Sequence, residues 1–133
     1  MLRRMIFATA LLLVLLLTAC STAAPAGQAP KAVEAYLTAL VERNANQVSL
    51  LACKDWEPQA RLEYDSFAAV KLALNDLACQ ATGEDGPYTL VTCSGSITAN
   101  YGAEDLQIDI AGRIFQVADE GGEWRVCGYA GEN

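Results

Sequence analysis

The stretch that decides the fold is residues 79–93, which read Cys-Gln-Ala-Thr-Gly-Glu-Asp-Gly-Pro-Tyr-Thr-Leu-Val-Thr-Cys. Its middle, 83–87, is a cluster of turn-forming residues. On both sides the apolar residues recur with a period near two, which predicts strands over about 70–82 and 88–100. Because the connection is so short, the two strands must be antiparallel neighbours. The stretch therefore predicts a β-hairpin.

The hairpin also predicts a disulfide bond. Cys79 and Cys93 are equally distant from the centre of the turn, so the strand pairing places them opposite one another. A non-hydrogen-bonded pair at that position has the Cα separation that a disulfide accepts. Apart from Cys20, which is treated below, two further cysteines remain, and this choice pairs Cys53 with Cys127. The other two connectivities, which need a different strand register, stay open at this stage.

A metal site is the alternative interpretation of these cysteines. A structural zinc site uses closely spaced cysteine pairs and often histidine. The spacings here are long, and the chain has no histidine. An even number of cysteines in a small exported domain is typical of disulfide bonds. We therefore expect disulfides, with no metal and no cofactor.

The alternating pattern continues beyond the hairpin. Strands are predicted near 105–118 and 123–130, separated by turn-forming segments at 100–103 and 119–122. In the third strand Leu106, Ile108 and Ile110 alternate with polar residues. This pattern is typical of a strand with one face exposed to solvent. Short connections throughout predict a four-stranded antiparallel meander.

Helical periodicity precedes the strands. Pro30 suits the first turn of a helix, and an apolar stripe follows it at helical spacing. A short helix is predicted over 47–54 and a third over about 58–67, with Leu62 and Phe67 facing the core. The stripe of the first helix consists of Val33, Tyr36, Leu37, Leu40 and Val41. The predicted fold class is α+β, with N-terminal helices packed on a curved four-stranded antiparallel meander.

Two segments carry a family resemblance. Residues 35–40 read Ala-Tyr-Leu-Thr-Ala-Leu, and 122–129 read Gly-Glu-Trp-Arg-Val-Cys-Gly-Tyr. With the order of the elements, they resemble the NTF2-like (cystatin-like fold) superfamily, especially its small bacterial lipoprotein members of unassigned role. The resemblance covers about residues 31–130 and implies a single domain over 31–133, shaped as a cone with a pocket. Members use that pocket for catalysis or for binding, so the fold does not choose a function.

The N-terminus predicts export and lipidation. Arg3 and Arg4 precede an apolar run over 5–17, which is too short to span a bilayer but suits a secretory signal. The run ends in Leu-Thr-Ala-Cys, which looks like a lipobox. We therefore predict a signal peptide over 1–19, cleavage between Ala19 and Cys20, and acyl chains such as palmitate on Cys20. Residues 20–30 are small and polar and form the predicted tether.

Charge and the lipobox together predict a location. Acyl chains would hold the protein in the cell envelope, outside the cytoplasm. Ser21 rather than Asp follows Cys20, which favours the outer membrane if the host has two membranes, and otherwise the outer face of the cell membrane. The chain has 16 acidic and 9 basic residues and a formal net charge of −7. That charge argues against electrostatic binding of nucleic acid or of anionic lipid head groups.

Few residues point to catalysis. Without histidine, the remaining option is a carboxylate–tyrosine pair in a pocket. The acids that could serve are Asp55, Glu63 or Asp76, and the tyrosines are Tyr36, Tyr64 or Tyr88. The densest acidic cluster is Glu104, Asp105 and Asp109. Its two strand residues lie about 13 Å apart on one face, too far for a shared calcium ion.

The function predicted from the sequence is binding rather than catalysis. We expect a membrane-anchored lipoprotein whose domain takes a small apolar ligand or an envelope protein partner. The alternative is an extracytoplasmic enzyme, isomerase- or cyclase-like, that uses the carboxylate–tyrosine pair. An open pocket with an acid beside a tyrosine hydroxyl favours the enzyme, whereas a filled interior with an exposed apolar patch favours a protein partner.

Overall fold

The structure, a computed structural model, describes residues 26–131. The predicted signal peptide, the predicted cleavage position between Ala19 and Cys20 and the predicted acylation of Cys20 all lie outside these residues. No helix of the described part is both long and apolar enough to cross a membrane. A 3-10 turn at Ala26–Gln28 precedes three helices, α1 (Ala29–Val41), α2 (Ala45–Leu51) and α3 (Glu57–Ser66). Five strands follow, β1 (Lys71–Asp85), β2 (Tyr88–Asn100), β3 (Asp105–Asp109), β4 (Ile114–Glu120) and β5 (Glu123–Tyr129).

Helix α1 forms as its sequence predicts. Pro30 lies in its first turn, where a missing N–H leaves no bond unmade. Four members of the predicted stripe are buried and face the sheet: Val33, Tyr36, Leu37 and Leu40. The core is completed by strand residues whose side chains are fully buried, namely Val91, Phe115, Val117 and Val126.

Helix α3 turns a different face inward from the one predicted. Leu62, predicted to face the core, is 63% exposed, so this prediction is wrong. The inward face instead contains Ala60, which is buried, with Glu63, Tyr64 and Phe67 half-buried at helical spacing from it. The prediction chose Leu62 for its hydrophobicity. The face of α3 that packs inward includes a charged residue, Glu63, and hydrophobicity does not select such a face.

The sheet has five strands, so the predicted four-stranded meander is wrong. Strand β2 pairs with β1 on one side and with both β3 and β4 on the other, and β4 then pairs with β5, all antiparallel. The predicted third strand is interrupted because its chain turns at residues 110–113. The Asp109 carboxylate accepts a hydrogen bond from Ala111 N at 2.9 Å, and Arg113 N donates to Ile110 O at 3.0 Å. These local bonds replace strand pairing, as Asx turns do.

The first hairpin contains a bulge that brings its two cysteines together. Only Gly86 and Pro87 separate β1 from β2, and a regular ladder from this turn would pair Cys79 with Ser94. A register shift between residues 81 and 83 moves the pairing by one residue and sets Cys79 opposite Cys93. Their Cα atoms are 4.0 Å apart and the disulfide is present.

The second disulfide joins the helices to the last strand. Cys53, just after α2, is bonded to Cys127 on β5, with Cα atoms 4.7 Å apart. Cys53 N also donates to Val126 O at 2.7 Å, and Ala52 forms a parallel bridge with Val126. The expectation of two disulfide bonds is therefore confirmed.

We predict that removal of the second disulfide destabilises the domain more than removal of the first. Cys53 and Cys127 are 74 residues apart, whereas Cys79 and Cys93 are 14 apart. In the chain-entropy description the longer loop is worth about 4–5 kcal/mol and the shorter about 3 kcal/mol. Urea unfolding of the two double Cys→Ser variants measures these losses. A larger loss for the hairpin pair would contradict the entropic account.

A second bulge in β1 requires glycine on the facing strand. The register shifts between Asn75 and Ala78, and Gly95 of β2 lies against this bulge with φ of 107°. A Cβ on Gly95 would lie 2.5 Å from Asn75 O and 2.8 Å from Asp76 O. Both are backbone atoms, so neither can move aside cheaply.

We therefore predict that Gly95→Ala lowers the free energy of unfolding by about 2 kcal/mol through strain and steric overlap. Gly112→Ala is the matched control, because a Cβ there meets no atom within 4 Å. Urea denaturation compares the two variants. Equal stabilities would show that the bulge relaxes without cost.

Candidate ligand-binding cleft

Glu63 is the centre of a polar cluster between α3 and the sheet. Its Oε2 accepts a hydrogen bond from the Tyr36 hydroxyl at 2.8 Å. Its Oε1 accepts one from the Tyr129 hydroxyl at 2.7 Å and one from Arg113 Nη1 at 3.2 Å. We call these four residues the Glu63 cluster. Three donors from three other elements converge on one carboxylate.

Each member of the Glu63 cluster is held by its own part of the fold. Tyr36 comes from the buried face of α1 and Tyr129 from the end of β5. Arg113 lies in the turn before β4, the same turn that interrupts the predicted third strand, and its guanidinium carbon lies 5.3 Å from the centre of the Tyr129 ring. The cluster therefore joins α1, α3, β4 and β5 through side chains.

Burial and the neighbouring carboxylate keep both tyrosines of the cluster neutral. The pKa of Tyr36 is raised far above its usual value, first because the hydroxyl is buried and then because Glu63 lies beside it. The pKa of Tyr129 is raised in the same direction for the same two reasons. Both hydroxyls thus remain donors to Glu63 over the physiological range of pH.

An open cleft of about 760 Å³ lies over the Glu63 cluster. One wall is the indole of Trp56, which packs against Tyr36 and edge-on against Tyr129, both at ring-centre distances of 5.7 Å. Gly128 of β5 admits the indole, because a Cβ there would lie 3.4 Å from Trp56 Nε1. The lining residues are Trp56, Gln59, Leu62, Glu63, Arg113, Gln116, Cys127, Gly128 and Tyr129. We call this the first cleft.

The structure brings together one of the predicted carboxylate–tyrosine pairs, Glu63 with Tyr36. Tyr64 lies elsewhere: its hydroxyl donates to Arg43 O at 3.1 Å, and the Arg43 guanidinium stacks 3.9 Å from its ring centre. The remaining predicted acids and tyrosine do not join this site. Asp55 is exposed after α2, Asp76 is exposed in the β1 bulge, and Tyr88 begins β2.

The acidic cluster at 104–109 serves local structure. Asp105 accepts from Asn100 Nδ2 at 2.6 Å, and Asp109 forms the turn described above. Within residues 26–131, no group of three acids, cysteines or histidines is placed to hold a metal ion.

Sequence reasoning offered the tryptophans and tyrosines as possible lining of a pocket, but it missed Gln59, Arg113 and Gln116 of the first cleft. Arg113 lay in what read as a continuous strand, and Gln59 and Gln116 carry no motif. Tyr129 closes the 122–129 segment that was singled out, but its pairing with Glu63 spans 66 residues of chain. The signal that could have found the site is a charged residue on the inward face of α3.

Comparisons with known proteins bear on the fold alone. No protein-family model matches the chain, and neither does any curated protein. Among solved structures, it is similar to the solution structure of a SEC-C motif containing protein from Rhodopseudomonas palustris, at 8% identity over 77% of each chain, with a TM-score of 0.50. At that identity the likeness says nothing about function.

The NTF2-like resemblance is corrected by this comparison. The architecture is shared with a SEC-C motif containing protein, and no family model supports the NTF2-like assignment. The two segments that suggested it form the buried face of α1 and strand β5. A helix stripe and a terminal strand with tryptophan are general packing patterns, so they do not specify one superfamily.

We predict that the Glu63 cluster makes the domain sensitive to alkaline pH. Below pH 10 both tyrosines are protonated in the folded and the unfolded chain. Above it the unfolded chain loses these protons and the folded domain keeps them, so stability falls by about 1.4 kcal/mol per pH unit for each tyrosine. Urea unfolding between pH 8 and about 11, near the usual tyrosine range, measures the fall.

The double variant Tyr36→Phe/Tyr129→Phe is the control for this experiment. It lacks the two hydroxyl groups whose pKa is raised, so its free energy of unfolding declines less steeply over the same range of pH. Parallel profiles for the two proteins would contradict the prediction, because the decline would then come from other groups.

Proposed function

We propose that the protein is a lipid-anchored, extracytoplasmic binding protein whose first cleft takes a small, uncharged, mainly apolar ligand that contains a ring. The observation that carries the proposal is an open cleft with an aromatic wall over an acid that three donors from the protein already hold. A concave site is the usual form of a small-molecule site, and this one combines the apolar surfaces of Trp56 and Leu62 with four polar or charged side chains.

The arrangement favours binding over catalysis. A general base must present a free lone pair to the substrate. Three of the roughly four acceptor sites on the Glu63 carboxylate are already taken by Tyr36, Tyr129 and Arg113, and the side chain is only 18% exposed. The acid therefore holds the floor of the cleft in place.

The charges of the first cleft favour a neutral ligand. Its charged lining residues are Glu63 and Arg113, which pair with each other at 3.2 Å. The amides of Gln59 and Gln116 offer both donors and acceptors to an uncharged polar group. Trp56 offers a flat apolar surface for a ring.

Two features support the location. The segment ending at Cys20 has the charge, length and small residues of a lipoprotein signal. The two disulfide bonds suit an oxidising compartment outside the cytoplasm. The partners proposed for the chain are thus the bilayer, through Cys20, and a small ligand in the cleft.

Three probes of similar shape test the ligand class: benzamide, benzoate and benzylammonium, which are neutral, anionic and cationic. The protein carries Trp124→Phe, so that Trp56 in the first cleft is the remaining tryptophan. We expect benzamide to change Trp56 fluorescence at lower concentration than either ion. We also expect Gln116→Leu to weaken benzamide binding roughly tenfold through loss of a hydrogen bond.

Gln107→Leu is the matched control, since it removes the same amide from an exposed position on β3. It should leave benzamide binding unchanged. Tighter binding of benzoate or benzylammonium would refute the neutral class. If Gln116→Leu does not change the affinity for benzamide, the ligand binds outside the first cleft.

Carboxylate–tyrosine catalysis is the second candidate, and the direct Tyr36–Glu63 bond is what favours it. For this chemistry Glu63 would have to take a proton from carbon at its remaining acceptor site, on Oε2. Cyclohex-3-enone, whose isomerisation to the conjugated ketone is read by ultraviolet absorbance, is the test substrate. Turnover abolished by Glu63→Gln would establish the enzyme, and absence of turnover would leave binding as the function of the cleft.

A further inference from the structure

A second cleft, of about 640 Å³, lies at the opposite end of β5 from the first. Trp124 lines the second cleft and Gly128 the first, so about 13 Å of strand separates them at the usual rise per residue. The lining residues of the second cleft are Gln28, Lys31, Ala32, Gln47, Leu50, Leu51, Gly122, Glu123 and Trp124.

The surface of the second cleft is apolar at its centre and balanced in charge at its rim. Leu50 is 59% exposed, and the half-buried Leu51 and Trp124 lie in the same lining. Its two charged residues, Lys31 and Glu123, are one base and one acid. The chain as a whole is strongly acidic, whereas the charged lining residues of this cleft add no net charge.

The described chain begins beside this cleft. Gln28 and Lys31 line it, and Cys20 lies eight residues before Gln28. Eight extended residues span at most about 26–29 Å. An acyl anchor on Cys20 would therefore hold Gln28, which lines the second cleft, within about 26–29 Å of the bilayer.

We propose that the second cleft docks on the surface of the bilayer that holds the anchor, with Leu50 and Trp124 entering the headgroup region. This inference rests on the lipid anchoring in the proposed function. Tryptophan and leucine are suited to that region, since tryptophan places an apolar ring and a polar N–H at a wet boundary. The tether makes even a weak contact effective, because it raises the local concentration of lipid at the cleft.

The chain contains a matched pair of reporters for this docking, one tryptophan in each cleft. Trp56→Phe leaves Trp124 as the sole tryptophan, and Trp124→Phe leaves Trp56. The acylated full-length protein is reconstituted into vesicles of phosphatidylcholine and phosphatidylglycerol. In a parallel set, the phosphatidylcholine carries brominated acyl chains, which quench tryptophan on contact.

If the second cleft docks, we expect brominated lipid to quench Trp124 roughly twofold more than Trp56. The difference is no larger because a docked side chain reaches only the boundary between the head groups and the acyl chains. Leu50→Asp should reduce the quenching of Trp124. Leu62→Asp is the control, since Leu62 is similarly exposed at 63% but lines the first cleft. It should leave the quenching unchanged.

Equal quenching of the two tryptophans, or stronger quenching of Trp56, would overturn the docking. So would crosslinked dimers that form through the second cleft while Trp124 stays unquenched, since a second copy would then be its occupant. Mass measurement of Cys20 separates this failure from failure of the anchor: a protein without acyl chains refutes the anchoring and the docking together, whereas an acylated protein with unquenched Trp124 refutes the docking alone.

Discussion

The convergence of three donors on the Glu63 carboxylate is the constraint on which this structure most depends. A half-buried charge is costly unless it is paired and hydrogen-bonded, and here Tyr36, Tyr129 and Arg113 meet that requirement. The bonds hold Glu63 on the inward face of α3, and Leu62 lies on the exposed face. They also set the floor of the first cleft, so folding and the shape of the site have one common cause.

Much of the scaffold could be predicted because it follows local rules. The α1 stripe is set by helical period, and the β1–β2 hairpin by the turn residues around Gly86. Their combination placed Cys79 near Cys93 and left Cys53 for Cys127. The prediction paired Cys79 with Cys93 because both are equally distant from the turn. In the structure the same pair forms only because a bulge shifts the register by one residue, and the sequence did not indicate that bulge.

What could not be predicted depends on contacts between distant residues. The break at 110–113 arises when the Asp109 side chain competes with strand pairing, and an alternating pattern does not show which will win. The Glu63–Tyr129 contact spans 66 residues and leaves no periodic trace. The NTF2-like assignment failed for a related reason. It rested on two common segments and on the order of the elements along the chain, whereas the order of the strands in the sheet depends on contacts between distant residues.

The two edges of the sheet are treated differently, and this bears on how closely such domains can be crowded. The backbone of β5 bonds to the segment after α2, through Cys53 N and Val126 O. The long outer strand β1 is interrupted by two bulges, and its Cys79 N–H is taken by the Glu34 carboxylate at 3.0 Å. An unbroken free edge is a template for edge-to-edge aggregation. Neither β1 nor β5 therefore offers a neighbouring copy a long, unbroken free edge with which to pair.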